Sequence, residues 1–277
     1  MISIRKKKGE LTEMVEPLFT FPGLITGRTI GFLLVILIFV LAIYYMGQAK
    51  SPYIRRVPAL DAIEDAVGRS TEMGKPVVCS FGCGGFEYWT IAGLSILGYV
   101  AKLCAETDTR LIVPTGGSSD SYIVREAAVD LVRNAYTVAG KSENFSEEDM
   151  PFLSGEQYAY TPGYVGILVR ERPGTTIMTG SHWSEAMNIA EMSNAVGSIT
   201  ITAGCYTSNM AALACASDYV MLGEEQPAAG AYLSRDPSQL ASIRVQDIYK
   251  FIAIGLMILG LIAINIGSDF IKRLISS

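Results

Sequence analysis

His182 is the only histidine in the chain, so any chemistry that needs an imidazole base must be built around it. A Ser-His-acid arrangement would take its nucleophile from Ser181, Ser118 or Ser154 and its orienting acid from Asp120, Glu185 or Glu224. A cysteine hydrolase would pair His182 with Cys205 or Cys83. No G-x-S-x-G elbow accompanies these residues, and His182 sits beside Trp183 at an expected helix start. A structural or capping role is therefore the expectation for it. Glu224 and Glu225, with Glu185 and Asp120 at other turns, would gather carboxylates at one edge, where such groups bind a divalent ion or share a proton. Acidic residues at these positions also cap helices and favour the positive end of the helix dipole, and that is expected here. Cys79 and Cys83 form a C-x3-C pair, but no second Cys/His cluster completes a zinc site. No metal is expected, and no cofactor is implied.

Glycine-rich turns supply the other candidates. They are Gly82-Cys83-Gly84-Gly85, Thr115-Gly116-Gly117-Ser118, Gly180-Ser181-His182-Trp183, Gly204-Cys205-Tyr206-Thr207 and Gly223-Glu224-Glu225. None is a phosphate-binding fingerprint: GCGG lacks the G-x-G-x-x-G spacing, and Gly74-Lys75 lacks a glycine five positions earlier. Glycine and serine are also what tight turns and helix caps require without any ligand. The candidate ligand-binding residues are Gly82, Gly84, Gly85, Thr115, Gly116, Ser118, Gly180, Ser181, His182, Glu185, Gly204, Cys205, Thr207 and Glu224.

What must position these turns is a strand-helix alternation. The runs Pro76 to Phe81, Arg110 to Pro114, Thr175 to Thr179, Ser198 to Thr202 and Asp218 to Leu222 have apolar centres without strict two-residue alternation, as buried parallel strands do. Helical patterns lie near 59–73, 89–106, 121–138, 156–169, 184–192 and 207–216. The expected class is α/β, a Rossmann-like parallel sheet with helices on both faces. All five turns then fall at the carboxyl edge of the sheet, where such folds bind ligands and where helix N-termini favour an anion. Residues 141–150 read as a polar loop. The segment from Glu224 to Lys250 reads as a bent helical connector broken at Pro227 and Pro237.

Two uncharged apolar runs flank this domain, Thr29 to Ala49 and Phe251 to Ser268, each close to the roughly 20 residues that cross a bilayer. The organisation is a tail and interfacial segment (1–28), a transmembrane helix (29–49), an α/β domain (50–249), a second transmembrane helix (250–268) and a tail (269–277). A cleaved signal is disfavoured for the first run, which exceeds the usual apolar core of such signals and follows a leader containing Glu10, Glu13 and Glu16. Mean hydropathy is +0.33, between soluble proteins and polytopic transporters. Residues 51–249 hold 13 Lys and Arg against 23 Asp and Glu, a net −10, which excludes the phosphate-binding surface a nucleic-acid partner needs. Near the span ends the domain side carries six Lys or Arg and the far side three, which places the domain in the cytoplasm of a cell membrane. Five cysteines, an odd number in apolar or glycine-rich settings, suit reduced buried thiols. Asn265 in the second run, with Gly255, Gly260, Ala263 and Gly267, suits close packing against another helix.

The stretches ALDAIEDAVGRSTEMGKPV (Ala59 to Val77), LSILGYVAKLCAETDTRLIVP (Leu94 to Pro114), MTGSHWSEAMNIAE (Met178 to Glu191) and AAGAYLSRDP (Ala228 to Pro237) carry a resemblance. The chain resembles a family of uncharacterised bacterial and archaeal membrane proteins, a domain of unknown function. The resemblance implies a membrane-tethered α/β domain and carries over no catalytic residue. The expected function is a membrane-anchored module with a structural, assembly or scaffolding role, partnered by the bilayer and by a homo-oligomer or membrane complex. The alternative is a tethered enzyme or small-ligand sensor that binds an anion at the glycine-rich edge.

Overall fold

Short apolar runs bounded by turns bury both faces in a parallel sheet covered on both sides, and the central strands of this chain do so. The computed structural model describes residues 26–46 and 57–265. The described chain falls into two compact units, one of 57–239 and one formed by the first helix together with the chain from Leu240 onward.

In the larger unit α2 (Pro58–Glu72) leads into β1 (Val77–Gly82), α3 (Tyr88–Glu106), β2 (Leu111–Ile112), β3 (Thr115–Gly116) and α4 (Ser121–Val138). There follow β4 (Phe152–Ser154), α5 (Gln157–Glu171), β5 (Thr175–Ser181), α6 (Glu185–Ala195), β6 (Ile199–Gly204), α7 (Thr207–Ala216), β7 (Tyr219–Leu222) and α8 (Glu225–Ser234). Five strands form one parallel sheet in the order β2-β1-β5-β6-β7. Every residue of β1 and β5 is buried.

Alternate residues of β1 serve two apolar clusters. Val77, Cys79 and Phe81 pack with Ile63 and Val67 of α2, Ile96 and Val100 of α3, and Val124 and Ala128 of α4. Val78 joins Met178 of β5, Tyr164 and Leu168 of α5, Ile189 of α6 and Leu213 of α7 on the other side. From β1 the chain runs to β2 on one flank, then returns to β5 on the other, so the winding reverses between β1 and β5. In open parallel sheets the crevice at such a reversal, outside the carboxyl ends of the strands, is where ligands bind.

Three local expectations are corrected. The stretch 110–114 gives a two-residue β2, and Thr115–Gly116 pairs in parallel with Phe152–Ser154 in a separate two-stranded sheet. The polar insertion before it forms two 3-10 turns, Ser142–Asn144 and Glu147–Asp149. The connector after β7 is not broken at its prolines. Pro227 lies in the first turn of α8 and Pro237 opens α9 (Pro237–Asn265), positions where a missing N–H leaves no bond unmade. The break falls between them, at Arg235, which takes a left-handed φ of 51°, and at Asp236, whose Oδ1 accepts the Ser238 N–H at 2.7 Å.

The smaller unit holds α1 (Thr26–Met46) and the greater part of α9. Leu34, Leu37, Ile38 and Leu41 of α1 share a surface with Val245, Ile248, Tyr249 and Ile252 of α9. The Arg244 guanidinium lies 4.6 Å from the Tyr45 ring centroid. Outward residues such as Phe32, Phe39, Ile43, Phe251, Met257 and Leu261 are exposed. The helices begin before the expected spans, at Thr26 and Pro237; the span ends at 47–49 and 266–268 lie outside the described residues. Among the described residues, two helices are long and apolar enough to cross a membrane, α3 and Pro237–Ile262, and Phe32–Met46 is a shorter apolar stretch. α3 is a core helix: Ile96, Leu97, Val100, Ala101 and Cys104 are fully buried. Asn265 donates its side-chain amide to Leu261 O of its own helix at 2.8 Å.

Candidate functional site

The carboxyl ends of β1 and β5 approach so closely that side chains are excluded between them. A Cβ on Gly180, whose φ is +84°, would lie 1.6 Å from Phe81 O, and one on Gly82 would lie 2.4 Å from Ser181 N. Only glycine takes such a φ at little cost and leaves that space. The Cys83 N–H donates to Ser181 O at 2.7 Å, which carries the chain one residue past each strand and sets Cys83 beside His182. The loop after β3 closes over the thiol, since a Cβ on Gly117 would lie 2.6 Å from Cys83 Sγ.

Cys83, His182 and Glu185 form one buried cluster, the group of potential metal-ligating side chains found among the described residues. Cys83 Sγ lies 3.2 Å from Glu185 Oε1 and 3.7 Å from His182 Nδ1. His182 Nδ1 lies 3.2 Å from the same Glu185 oxygen. Glu185 is the first residue of α6, so its carboxylate also accepts the Trp183 N–H at 2.9 Å, while the Gln157 amide donates to Oε2. On its far side the imidazole Nε2 meets Ser80 Oγ at 3.1 Å, and Ser80 in turn meets the Tyr160 hydroxyl at 3.4 Å. Asn209 holds the His182 backbone by donating Nδ2 to His182 O at 2.9 Å, and the Cys205 thiol donates to the same carbonyl at 3.5 Å.

Burial, and next the adjacent Glu185, push the Cys83 thiol well above its ordinary range. Burial also pushes Glu185 up, but the hydrogen bond and charge of His182, with the Trp183 N–H and the Gln157 amide, outweigh it and hold the carboxyl at about 2. The cluster is thus a protonated thiol against a carboxylate. A nucleophilic relay needs one ring nitrogen toward the thiol and the other toward the acid. Here Nδ1 faces both, and Nε2 is engaged by Ser80. Nucleophilic cysteine catalysis also requires a thiolate, so this geometry does not support a cysteine hydrolase at Cys83. Burial likewise raises the Cys205 thiol.

Of the other residues singled out from sequence, Gly82, Gly180 and Ser181 build the strand ends at this cluster. Ser181 Oγ is spent on the Tyr206 hydroxyl at 3.0 Å. Gly84 packs against Ser181 and Glu87, and Gly85 against Asp120. Gly116 packs on Ser154 and Tyr160, Thr115 donates its hydroxyl to Pro151 O at 3.1 Å, and Ser118 Oγ is buried with no hydrogen-bond partner among the described residues. Ser154 Oγ accepts the Glu156 N–H at 3.0 Å. Gly204 packs on Met210, and Thr207 is exposed at the start of α7. Glu224 follows β7, two strands beyond β5 and so roughly 10 Å along the edge. Asp120, Glu224 and Glu225 therefore do not converge with Glu185, and the candidate cluster is a mixed thiol-imidazole-carboxylate one.

Sequence reasoning missed Ser80, Gln157, Tyr160 and Asn209. Ser80 sits at an even position of β1 with Val78, a signal that it faces the same side. Gln157, Tyr160 and Asn209 had no signal of their own, since helix packing alone brings them to the cluster. Followed from each strand end to the first residue of the next helix, the five edge turns contain Glu87, Asp120, Glu185, Glu224 and Glu225 and not one lysine or arginine. That charge balance favours a cation over a bare anion.

Fold and site together define a doubly wound α/β protein with a buried thiol-imidazole-carboxylate cluster where its winding reverses. The chain belongs to the family described as Domain of unknown function (DUF6754), which matches residues 22–275. No curated protein and no solved structure matches it.

Proposed function

We propose that this protein is a membrane-anchored α/β module that binds a small ligand at the reversal point of its sheet, between the carboxyl ends of β1 and β5. The observation that carries this reading is convergence: a cysteine from the turn after β1 meets the sole histidine and a carboxylate from the turn after β5, at the crevice where doubly wound sheets take their ligands. Buried polar groups are costly and more common at functional sites than elsewhere. The acidic surroundings favour a cation, or a ligand that presents its positive or donor end, rather than the free anion suggested by the glycine-rich turns.

α1 and α9 cross the bilayer, and the excess of lysine and arginine near the domain-side span ends sets the domain in the cytoplasm. Their shared face and exposed apolar outer faces support this reading. Cys215 is exposed, whereas the other four cysteines are buried. A membrane-impermeant maleimide should therefore leave Cys215 unmodified on intact cells and modify it once the membrane is opened. Labelling on intact cells would overturn the orientation.

The binding role is tested by denaturing full-length protein purified from its own membrane and analysing the released small molecules by mass spectrometry, beside His182→Ala and Glu185→Gln. A species present in the native sample and lost from both variants supports the reading. Identical profiles for all three, with no thermal shift across a metabolite panel, would sink it. Self-association through α9 is the second reading, favoured by Gly255, where an added Cβ would meet nothing within 4 Å and a second helix has room to approach. Cross-linking in native membranes, lost on Gly255→Leu, is its test.

A further inference from the structure

We infer that Cys83, His182 and Glu185 are three ligands of one tetrahedral zinc-class divalent cation whose fourth position is left for a ligand. This deepens, and rests on, the assignment of the β1–β5 crevice as the functional site.

The first support is metric. Zinc bound at about 2.3 Å to sulfur, about 2.05 Å to nitrogen and about 2.0 Å to oxygen, at tetrahedral angles, separates its ligand atoms by about 3.6 Å (S to N), about 3.5 Å (S to O) and about 3.3 Å (N to O). The corresponding separations here are 3.7 Å, 3.2 Å and 3.2 Å. One face of a coordination tetrahedron is thus already drawn by the protein, with each edge within about 0.3 Å of the ideal.

The second support is the shell behind the ligands. A metal-bound imidazole uses one nitrogen for the ion and donates the other N–H to an oxygen that fixes its tautomer and plane. Nε2 at 3.1 Å from Ser80 Oγ is placed for that, leaving Nδ1 toward the cluster. Glu185 is held through Oε2 by Gln157 and by the Trp183 N–H. The Tyr160 hydroxyl is directed at Cys83 as well as at Ser80, and Cys83 itself is tied by its N–H to Ser181 O at 2.7 Å.

The third is charge. A thiolate and a carboxylate together carry two negative charges, which a divalent ion neutralises, so that the bound site presents no net charge to its buried surroundings. Neither lysine nor arginine is present in the edge turns to do the same. Sulfur and nitrogen donors select zinc over magnesium or calcium. Three protein ligands, rather than four, are the arrangement of zinc sites that keep a position for water or substrate.

The test is metal content and cobalt titration of the full-length protein in detergent. Elemental mass spectrometry should find about one zinc per chain, falling at least tenfold in Cys83→Ser and in His182→Ala and unchanged in Cys79→Ser. A chelator-stripped native sample titrated with CoCl2 should take up one equivalent with a sulfur-to-cobalt charge-transfer band. ZnCl2 should abolish that band. The titration requires no variant to fold. A stripped native protein that gives no such band, or zinc retained at full stoichiometry in both ligand variants, would overturn the inference. An organic ligand lost on His182→Ala from a protein that never binds cobalt or zinc would overturn the metal while leaving the binding role intact. Stoichiometric zinc with no released ligand and no thermal shift would keep the metal and sink the binding role.

Discussion

Replacing Gly180 by alanine is the sharpest test of how the two central strands are joined. The new Cβ would sit 1.6 Å from Phe81 O and 2.3 Å from Phe81 C, at a φ of +84°. A left-handed φ costs a non-glycine residue roughly 1–2 kcal/mol. Relieving the overlap requires the end of β1 to withdraw by more than an ångström. That breaks the Cys83 N–H bond to Ser181 O, and with it the pairing of Gly82 with Ser181. Each lost buried backbone bond costs about 1–3 kcal/mol. The expected destabilisation is about 4 kcal/mol, which for a domain of this size lowers the melting temperature by roughly 10 °C. The control is Gly68→Ala, in α2, where an added Cβ would meet nothing within 4 Å. It should stabilise by about 0.5–1 kcal/mol. Both variants are measured by thermal unfolding of the full-length protein in detergent, followed by circular dichroism. A Gly180→Ala protein that melts within 2 °C or so of the native one would refute the close crossing of β1 and β5 from which the site is derived.

His182→Ala leaves the buried Glu185 carboxylate without its imidazole partner and should cost on the order of 3 kcal/mol in denaturant unfolding, against a negligible change for a surface substitution such as Glu143→Gln. Maleimide applied to the folded, detergent-solubilised protein should add one label per chain, at Cys215, and five after denaturation. Rapid labelling of Cys83 in the folded state would contradict its enclosure. Tyr160→Phe removes the hydroxyl that meets Ser80 and should lower stability by about 1 kcal/mol without unfolding the domain, as read from the shift of the urea midpoint.

The elements of this domain were legible because their chemistry is local. VVCSF is too apolar to face water on either side, TTIMT and SITIT are rich in the β-branched residues that strands favour, and SYIVREAAVDLVRNAYTV carries its helical stripe in plain view. The order of the strands was not legible, since nothing in those runs states that β1 lies between β2 and β5. That order is what makes Cys83 and His182 neighbours across 99 residues. Glu185 stands three positions after His182 and was visible as a candidate orienting acid, but only the turn into α6 brings its carboxylate onto Nδ1. Expecting no metal rested on counting Cys and His along the chain, a count that does not address a cluster assembled from one of each and a carboxylate. β3 and β4 were missed because segments of two and three residues carry too little pattern to detect. The prolines misled as breakers because Pro227 and Pro237 occupy first turns, where proline is tolerated.

The most direct measurement is an experimental density map of the full chain purified from its native membrane, at a resolution that shows side chains. A non-protein group should stand between the carboxyl ends of β1 and β5, in contact with Cys83, His182 and Glu185. Those three side chains closed on one another with nothing bound, and a ligand seated elsewhere on the domain, would contradict the assignment of this crevice as the functional site.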